Sequence, residues 1–145
     1  MKKLHFSVEI NAPRERVWQI LWDDKSYRQW TAPFHEGSHA LSDWQEGSRV
    51  LFLGPNGNGM VSRIAQLKPN EYMSFEHLGE IKDGTENFEI AKEKGWAGSL
   101  ENYTLNDKHG STELLVDMDA DESFGDFFQN TFPKALQRVK ELAEE

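Results

Sequence analysis

Four apolar residues in alternation, Leu4, Phe6, Val8 and Ile10, run into Asn11-Ala12-Pro13, and the period then changes. Val17, Trp18, Ile20, Leu21 and Trp22 follow at the spacing of a helix about three turns long. Alternation at every second residue marks a strand with one buried face. Proline is tolerated at the first helical position, where its missing N–H has no partner to lose, so Pro13 marks the helix start and Asn11 its N-cap region. A second short helix spans Asp24 to Trp30, and Pro33 prevents simple continuation. The chain thus opens strand, helix, helix.

From Leu41 to Leu78 the pattern is an antiparallel meander. Gly47 marks a turn before the strand Arg49–Leu53, and Gly54-Pro55-Asn56-Gly57-Asn58-Gly59 is dense turn chemistry. Met60–Leu67 and Tyr72–Leu78 read as strands separated by Lys68-Pro69-Asn70-Glu71. The charged, poorly periodic stretch from Glu80 to Gly95 reads as a long surface excursion. Strand character resumes over Trp96–Asn106 and Thr112–Asp119, joined by Asp107-Lys108-His109-Gly110. A final helix, capped by Asp121, Glu122 or Ser123, carries Phe124, Phe127, Phe128, Phe132, Leu136, Val139 and Leu142 at spacings of three and four. Pro133 should kink it or begin its regular second half.

Composition narrows the function. At 145 residues the chain is one domain, 1–145, large enough to bury about two thirds of its unfolded surface. Nine Phe and five Trp supply bulky packing units. A net charge of −9 with scattered basic residues argues against a nucleic-acid partner. The absence of Cys excludes disulfides, thiolate metal sites and Cys nucleophiles. No stretch approaches a membrane span and no signal-peptide h-region follows the N-terminus, so a cytoplasmic location is expected.

Ala12-Pro13 with Val17-Trp18, then Tyr27-Arg28-Gln29-Trp30, in the order strand, two helices, about six strands and a C-terminal helix, resembles the START-like or SRPBCC superfamily. Gly59 with Val61 and Ile64, Pro69-Asn70-Glu71-Tyr72-Met73-Ser74-Phe75, and Tyr103-Thr104-Leu105 followed by Ser111-Thr112-Glu113-Leu114 are similar to its heat-shock protein ATPase activator homologue-like branch. The resemblance runs end to end. It implies an α+β helix-grip fold, a curved antiparallel sheet of six or seven strands wrapped around the last helix, with a cavity for a small hydrophobic ligand between them. Phe132-Pro133 stands where that branch carries an aromatic near the start of the last helix, and only Gly47 remains of a glycine pair before the third strand. Cochaperone activity in that branch depends on an additional N-terminal domain, so chaperone activation is not carried over.

In such a fold, alternation selects the residues that face the helix: Phe52; Ser62 and Ile64; Met73, Phe75 and His77; Glu101, Tyr103 and Leu105; Leu114, Val116 and Met118. Phe124, Phe128 and Phe132 join them from the last helix. The candidate ligand contacts are Phe52, Ile64, Met73, Phe75, His77, Glu101, Tyr103, Val116, Phe124, Phe128 and Phe132; the bland alternative is that these side chains fill one another and leave no cavity. His77 and Glu101 stand out because each falls on an otherwise apolar phase. Together they can orient a polar group of a ligand or act as general base and acid. Alternatively they are a satisfied core histidine and a rim glutamate, and a one-residue slip in register would turn both outward.

Other motifs carry less. His35 and His39 are spaced like helical metal ligands, but Pro33 and Gly37 argue for a loop, so no metal is expected. The glycines at 54, 57 and 59 precede a strand rather than a Lys-Ser helix start and make a hairpin turn, not a phosphate cradle. The serines lack a nucleophile-elbow context. No cofactor is implied. Three functions stay open: a binding module for a lipid, polyketide-like or aromatic metabolite; an enzyme of cyclase or hydrolase type using His77 and Glu101 in the same cavity; and a protein-interaction module using the acidic surface and the excursion after Leu78. A binding module requires an enclosed apolar cavity without converging ionisable groups. An enzyme requires His77 and Glu101, or an equivalent pair, within hydrogen-bond reach of each other or of a shared substrate position. An interaction module predicts a filled interior and an exposed apolar patch of more than a few hundred Å².

Overall fold

A computed structural model describes residues 2–145. The alternating N-terminal segment forms β1 (Lys2–Ile10), followed by α1 (Arg14–Trp22) and α2 (Asp24–Trp30). The sheet continues through β2 (His39–Leu41), β3 (Arg49–Leu53), β4 (Gly59–Lys68), β5 (Tyr72–Lys82) and β6 (Thr85–Asn87). After α3 (Glu89–Lys94) come β7 (Leu100–Lys108), β8 (Ser111–Ala120), a 3-10 turn at Glu122–Phe124 and the long α4 (Gly125–Glu144). The sheet has eight strands, with the path β1-β8-β7-β5-β4-β3-β2 and β6 hydrogen-bonded to β5. Every ladder is antiparallel. This is the helix-grip architecture: α4 packs against β1, α1 and α2 on the concave side of the sheet.

Local chemistry explains most of these elements and corrects several expectations. Pro13 is itself the N-cap of α1, its carbonyl accepting from Arg16 N and Val17 N at 3.0 and 3.1 Å. Asn11 does not cap; its side chain accepts from Ser111 Oγ at 3.1 Å and its N–H donates to Glu144 Oε2 at 2.8 Å, tying the first helix entry to the end of α4. The excursion after Leu78 runs over the surface but carries regular structure. Strand β5 runs on to Lys82, turns through Asp83 and Gly84 at φ of 52° and 78°, and returns as β6 before α3. An Asp-Gly pair with both φ positive is the preferred two-residue hairpin, because its twist matches that of the strands. His109 and Gly110 make the same turn between β7 and β8, at φ of 57° and 92°. Trp96 precedes β7 rather than opening it.

Strand β4 carries register shifts against β5 between Val61 and Ser62 and between Ile64 and Gln66, irregularities of the kind that bend a strand. Helix α4 continues through Pro133 from Gly125 to Glu144. Asp121 caps the 3-10 turn ahead of it, Oδ1 accepting from Ser123 N at 3.0 Å. The helix buries Phe132, Ala135, Leu136, Val139 and Ala143. Trp30 is held in the same core by donating from Nε1 to Leu21 O at 3.1 Å. No helix among the described residues is long and apolar enough to cross a membrane.

Candidate functional site

The pairing of β5, β7 and β8 sets the polar side chains of the concave face. Phe75 lies opposite Glu101 and Glu101 opposite Met118; one row along, Met73, Tyr103 and Val116 are aligned in the same way. His77, two residues from Phe75, stays on that face and pairs with Ser62 of β4. The register therefore turns His77 and Glu101 inward together. Beyond the formal ladder, His77 N donates to Ser99 O at 2.9 Å and Gly98 N to His77 O at 2.8 Å, so the strand edge beside His77 stays closed.

These side chains form one chain of hydrogen bonds. Ser62 Oγ lies 2.7 Å from His77 Nδ1, His77 Nε2 lies 3.1 Å from Glu101 Oε1, and Tyr103 donates its hydroxyl to Glu101 Oε2 at 2.5 Å. An ionised carboxylate only accepts, so Nε2 carries the proton toward Glu101; in the neutral ring Nδ1 then accepts from the Ser62 hydroxyl. Burial acts to raise the Glu101 carboxyl, but the His77 hydrogen bond and charge and the Tyr103 hydroxyl outweigh it and hold the group below its ordinary range. Tyr103 is pushed well up by burial, by the Glu101 charge and by the bond to it; Tyr27 is raised by burial and then by Glu101. The chain is therefore an anion held by neutral donors and His77.

Serine, histidine and glutamate in sequence have the composition of an acyl-transfer triad, but access is the reverse of what that chemistry needs. Ser62 is 0% exposed and stands behind His77, whereas His77 and Glu101 face an open space. A nucleophile must touch substrate; Ser62 cannot, and it serves to fix the His77 ring.

The space is a cavity of about 710 Å³ between the sheet, α2 and the start of α4. Phe52, Phe75, His77, Glu101, Tyr103, Phe124, Phe128 and Phe132 line it. Ile64, Met73 and Val116 do not line it; they lie deeper in the packed core, whose edge Phe75, Tyr103 and Phe132, at 1–2% exposure, form against the cavity. Phe124 sits at 56% exposure, the most open of the lining phenylalanines named from the sequence. Trp22, Tyr27, Trp30 and Phe34 also line the cavity. Trp22 and Trp30 also pack within the core, Trp22 against Trp18 and Trp30 against Tyr27.

Two further contributions were not read from the sequence. The β3–β4 hairpin supplies Pro55, Asn56, Asn58 and Met60 to the wall, and the α3 segment supplies Ile90, Lys94 and Trp96. The Asp83-Gly84 pair was the available signal for the second, since a hairpin there folds α3 back over the sheet. His35 and His39 lie in and after a turn, each Nδ1 engaging a backbone carbonyl, at 2.8 and 3.0 Å. Among the described residues no group of three or more His, Asp or Glu side chains is placed to hold a metal ion.

The rings meet edge to face, the arrangement their quadrupoles favour. Trp22 stands nearly perpendicular to Phe75 and Tyr103 at 5.3 and 5.0 Å, and Phe52 is perpendicular to Phe75 at 5.1 Å. Trp22 Nε1 is buried without a hydrogen-bond partner among the described residues. The site combines aromatic edges and faces in mutual contact with one engaged carboxylate.

A family model for Activator of Hsp90 ATPase homolog 1-like protein matches residues 11–143. Among solved structures, protein MLL2253 from Mesorhizobium loti superposes with a TM-score of 0.74 at 14% identity, over 97% of this chain and 96% of that one. The Aha1 dimer from Colwellia psychrerythraea gives 0.72 at 19% identity, over 99% and 97%. DynU16, a protein of the dynemicin biosynthetic locus, gives 0.69 at 15% identity, over 97% of this chain and 46% of its own. No curated protein matches the chain. At these identities the structural likeness concerns the fold alone.

Proposed function

The chain belongs to the Activator of Hsp90 ATPase homolog 1-like protein family, and we propose that it binds a small, largely apolar molecule, an aromatic or polyketide-like metabolite or a lipid, between the sheet and α4. The observation that carries this reading is the unfilled cavity of about 710 Å³, within the size range of small-molecule sites. Aromatic side chains are prominent in its wall, and the partly accessible Phe34, Phe52, Phe124 and Phe128 supply apolar contact area. Burial of that area against a ligand is worth about 25 cal/mol per Å² before the costs of association. His77, Glu101 and Tyr103 orient a polar group of the ligand, since their mutual hydrogen bonds hold them rigid without consuming all of the carboxylate's acceptor capacity. DynU16's place in a biosynthetic locus agrees with a metabolite-sized ligand. An open interior weighs against a module that acts only through its outer surface.

A second reading, proton-transfer catalysis in the same cavity, is favoured by the 3.1 Å contact between His77 and Glu101. Binding ranks above it because a general base works best with a pKa near the operating pH, and Glu101 is displaced the other way. Heteronuclear NMR titration with a panel of fatty acids, flavonoids and other aromatic metabolites tests both. Saturable shifts confined to residues around Phe75, His77, Tyr103 and Phe128 are expected; turnover of a bound compound would promote the second reading. A panel that leaves these resonances unmoved would remove the binding proposal.

A further inference from the structure

Resting on the cavity-binding reading, we infer that the preferred ligand carries an ammonium group on its apolar body, seated against Glu101 and the surrounding rings. Three features of the site lead there. First, Glu101 is an acceptor with room. Each of its oxygens takes one hydrogen bond, from His77 and from Tyr103, and a carboxylate offers about four lone-pair sites. A donor from the ligand completes the set, whereas an acceptor would meet the like-charged carboxylate.

Second, the aromatic walls suit a cation. Trp22, Phe75 and Tyr103 line the cavity and are mutually near perpendicular, with Trp22 the most accessible of the three at 8% exposure. Cations are drawn to the faces of Trp and Tyr, most strongly where water is excluded, and aromatic cages are a recurrent solution to ammonium recognition. An anion would be repelled by those faces.

Third, the cavity as a whole is electronegative. Its lining carboxylates are Glu80, Glu101, Asp119 and Asp121, and its one ammonium among the described residues is Lys94. Low-dielectric walls concentrate such a field and raise the local concentration of cations. The net charge of −9 adds the same sign at long range. Long-chain carboxylates, the simplest lipids that would fit the volume, are thereby disfavoured.

The test uses three probes with one hydrocarbon body: naphthylethylamine, naphthylethanol and naphthylacetate. Each is titrated at neutral pH into the full chain and into E101Q, with calorimetry for affinity and heteronuclear NMR for location. The expected order in the wild type is amine, then alcohol, then carboxylate, with the amine ahead of the carboxylate by about tenfold or more, the size of one charge-assisted hydrogen bond. In E101Q the amine should lose most of that lead. A carboxylate that binds inside the cavity as tightly as the amine overturns the ammonium inference and leaves the cavity reading intact. So does an amine preference that survives E101Q unchanged. Failure of all three probes to move cavity resonances overturns both. If E101Q does not fold, the wild-type ranking is read together with the NMR location of the amine. An amine whose shifts lie away from His77, Glu101 and Tyr103 overturns the inference.

Discussion

Ser62 offers the sharpest test of how the polar chain is built, because its hydroxyl has no route to water or ligand. It is 0% exposed, its partner His77 is 5% exposed, and their 2.7 Å contact is one of two that fix the imidazole. In S62A His77 Nδ1 loses its hydrogen-bond partner in a dry environment, while Nε2 stays committed to Glu101. An orphaned buried polar group costs about 1–3 kcal/mol. Unfolding entropy of about 2.1 cal/mol/K per residue over 145 residues is roughly 0.3 kcal/mol/K, so Tm should fall by about 3–10 °C. H77F removes the same hydrogen bond from the other end and frees Glu101 to be solvated through the cavity. In the double variant S62A/H77F the Ser62 penalty should vanish, because no orphaned ring nitrogen is left behind; the coupling between the two positions should be about 1–2 kcal/mol, read from urea unfolding midpoints at constant m. Strictly additive costs would refute the proposed hydrogen bond. A Ser62 variant with unchanged stability but abolished ligand binding would refute the assignment of Ser62 as a positioning residue, placing it in the cavity instead.

Acid should act on this site in a defined direction. The folded Glu101 carboxyl lies below its ordinary 4.5, so its contribution is fully present above about that pH and is lost as pH falls through the folded value. The stability advantage of wild type over E101Q should therefore be level from pH 7 down to about 5 and shrink below the ordinary carboxylate range; urea midpoints against pH for the two proteins measure it, and a gap that widens in acid would reverse the sign argued here. At the β3–β4 hairpin, a Cβ on Gly59 would lie 1.8 Å from Phe52 O, whereas one on Gly54 would meet nothing closer than 3.7 Å. G59A should break the hairpin that walls the cavity and cost at least about 3 kcal/mol, against about 1 kcal/mol or less for G54A; equal unfolding midpoints would contradict the pairing.

The fold was legible because its signals are local and repeated. Period-two runs at Leu4–Ile10 and Tyr72–Leu78, the Pro13 boundary and the three-and-four spacing of Phe128, Phe132, Leu136 and Val139 each specify an element without reference to the rest. What failed was punctuation that competes with composition. Glu80, Lys82, Asp83, Glu86 and Glu89 give the excursion the composition of a loop, which masks the Asp83-Gly84 hairpin inside it. Asn11 looked like a cap because its type favours that role, yet Pro13 takes the position and Asn11 is drawn off by Ser111 and Glu144. Those partners are more than a hundred residues away, and nothing local announces them.

The site shows where such reading stops. Alternation placed His77 and Glu101 on one face but could not say that β4 would bring Ser62 to His77, or that Phe75 would border the cavity while Met73, one row along, lies deeper in the core. That division is set by what covers each row. Tyr103 spans it: on the strand it belongs to the row of Met73 and Val116, yet its ring lines the cavity and its hydroxyl reaches Glu101 in the next row. One side chain thus closes the core on one side and steadies the anion on the other. This explains how a carboxylate persists inside an aromatic wall: a buried charge is tolerable only where donors meet it, and here the donors are built into the strands beside it. An isolated Glu in this place would protonate or turn out to the rim. Held by His77 and Tyr103 it stays charged, and a cavity that keeps a charge selects its ligand by chemistry as well as by shape.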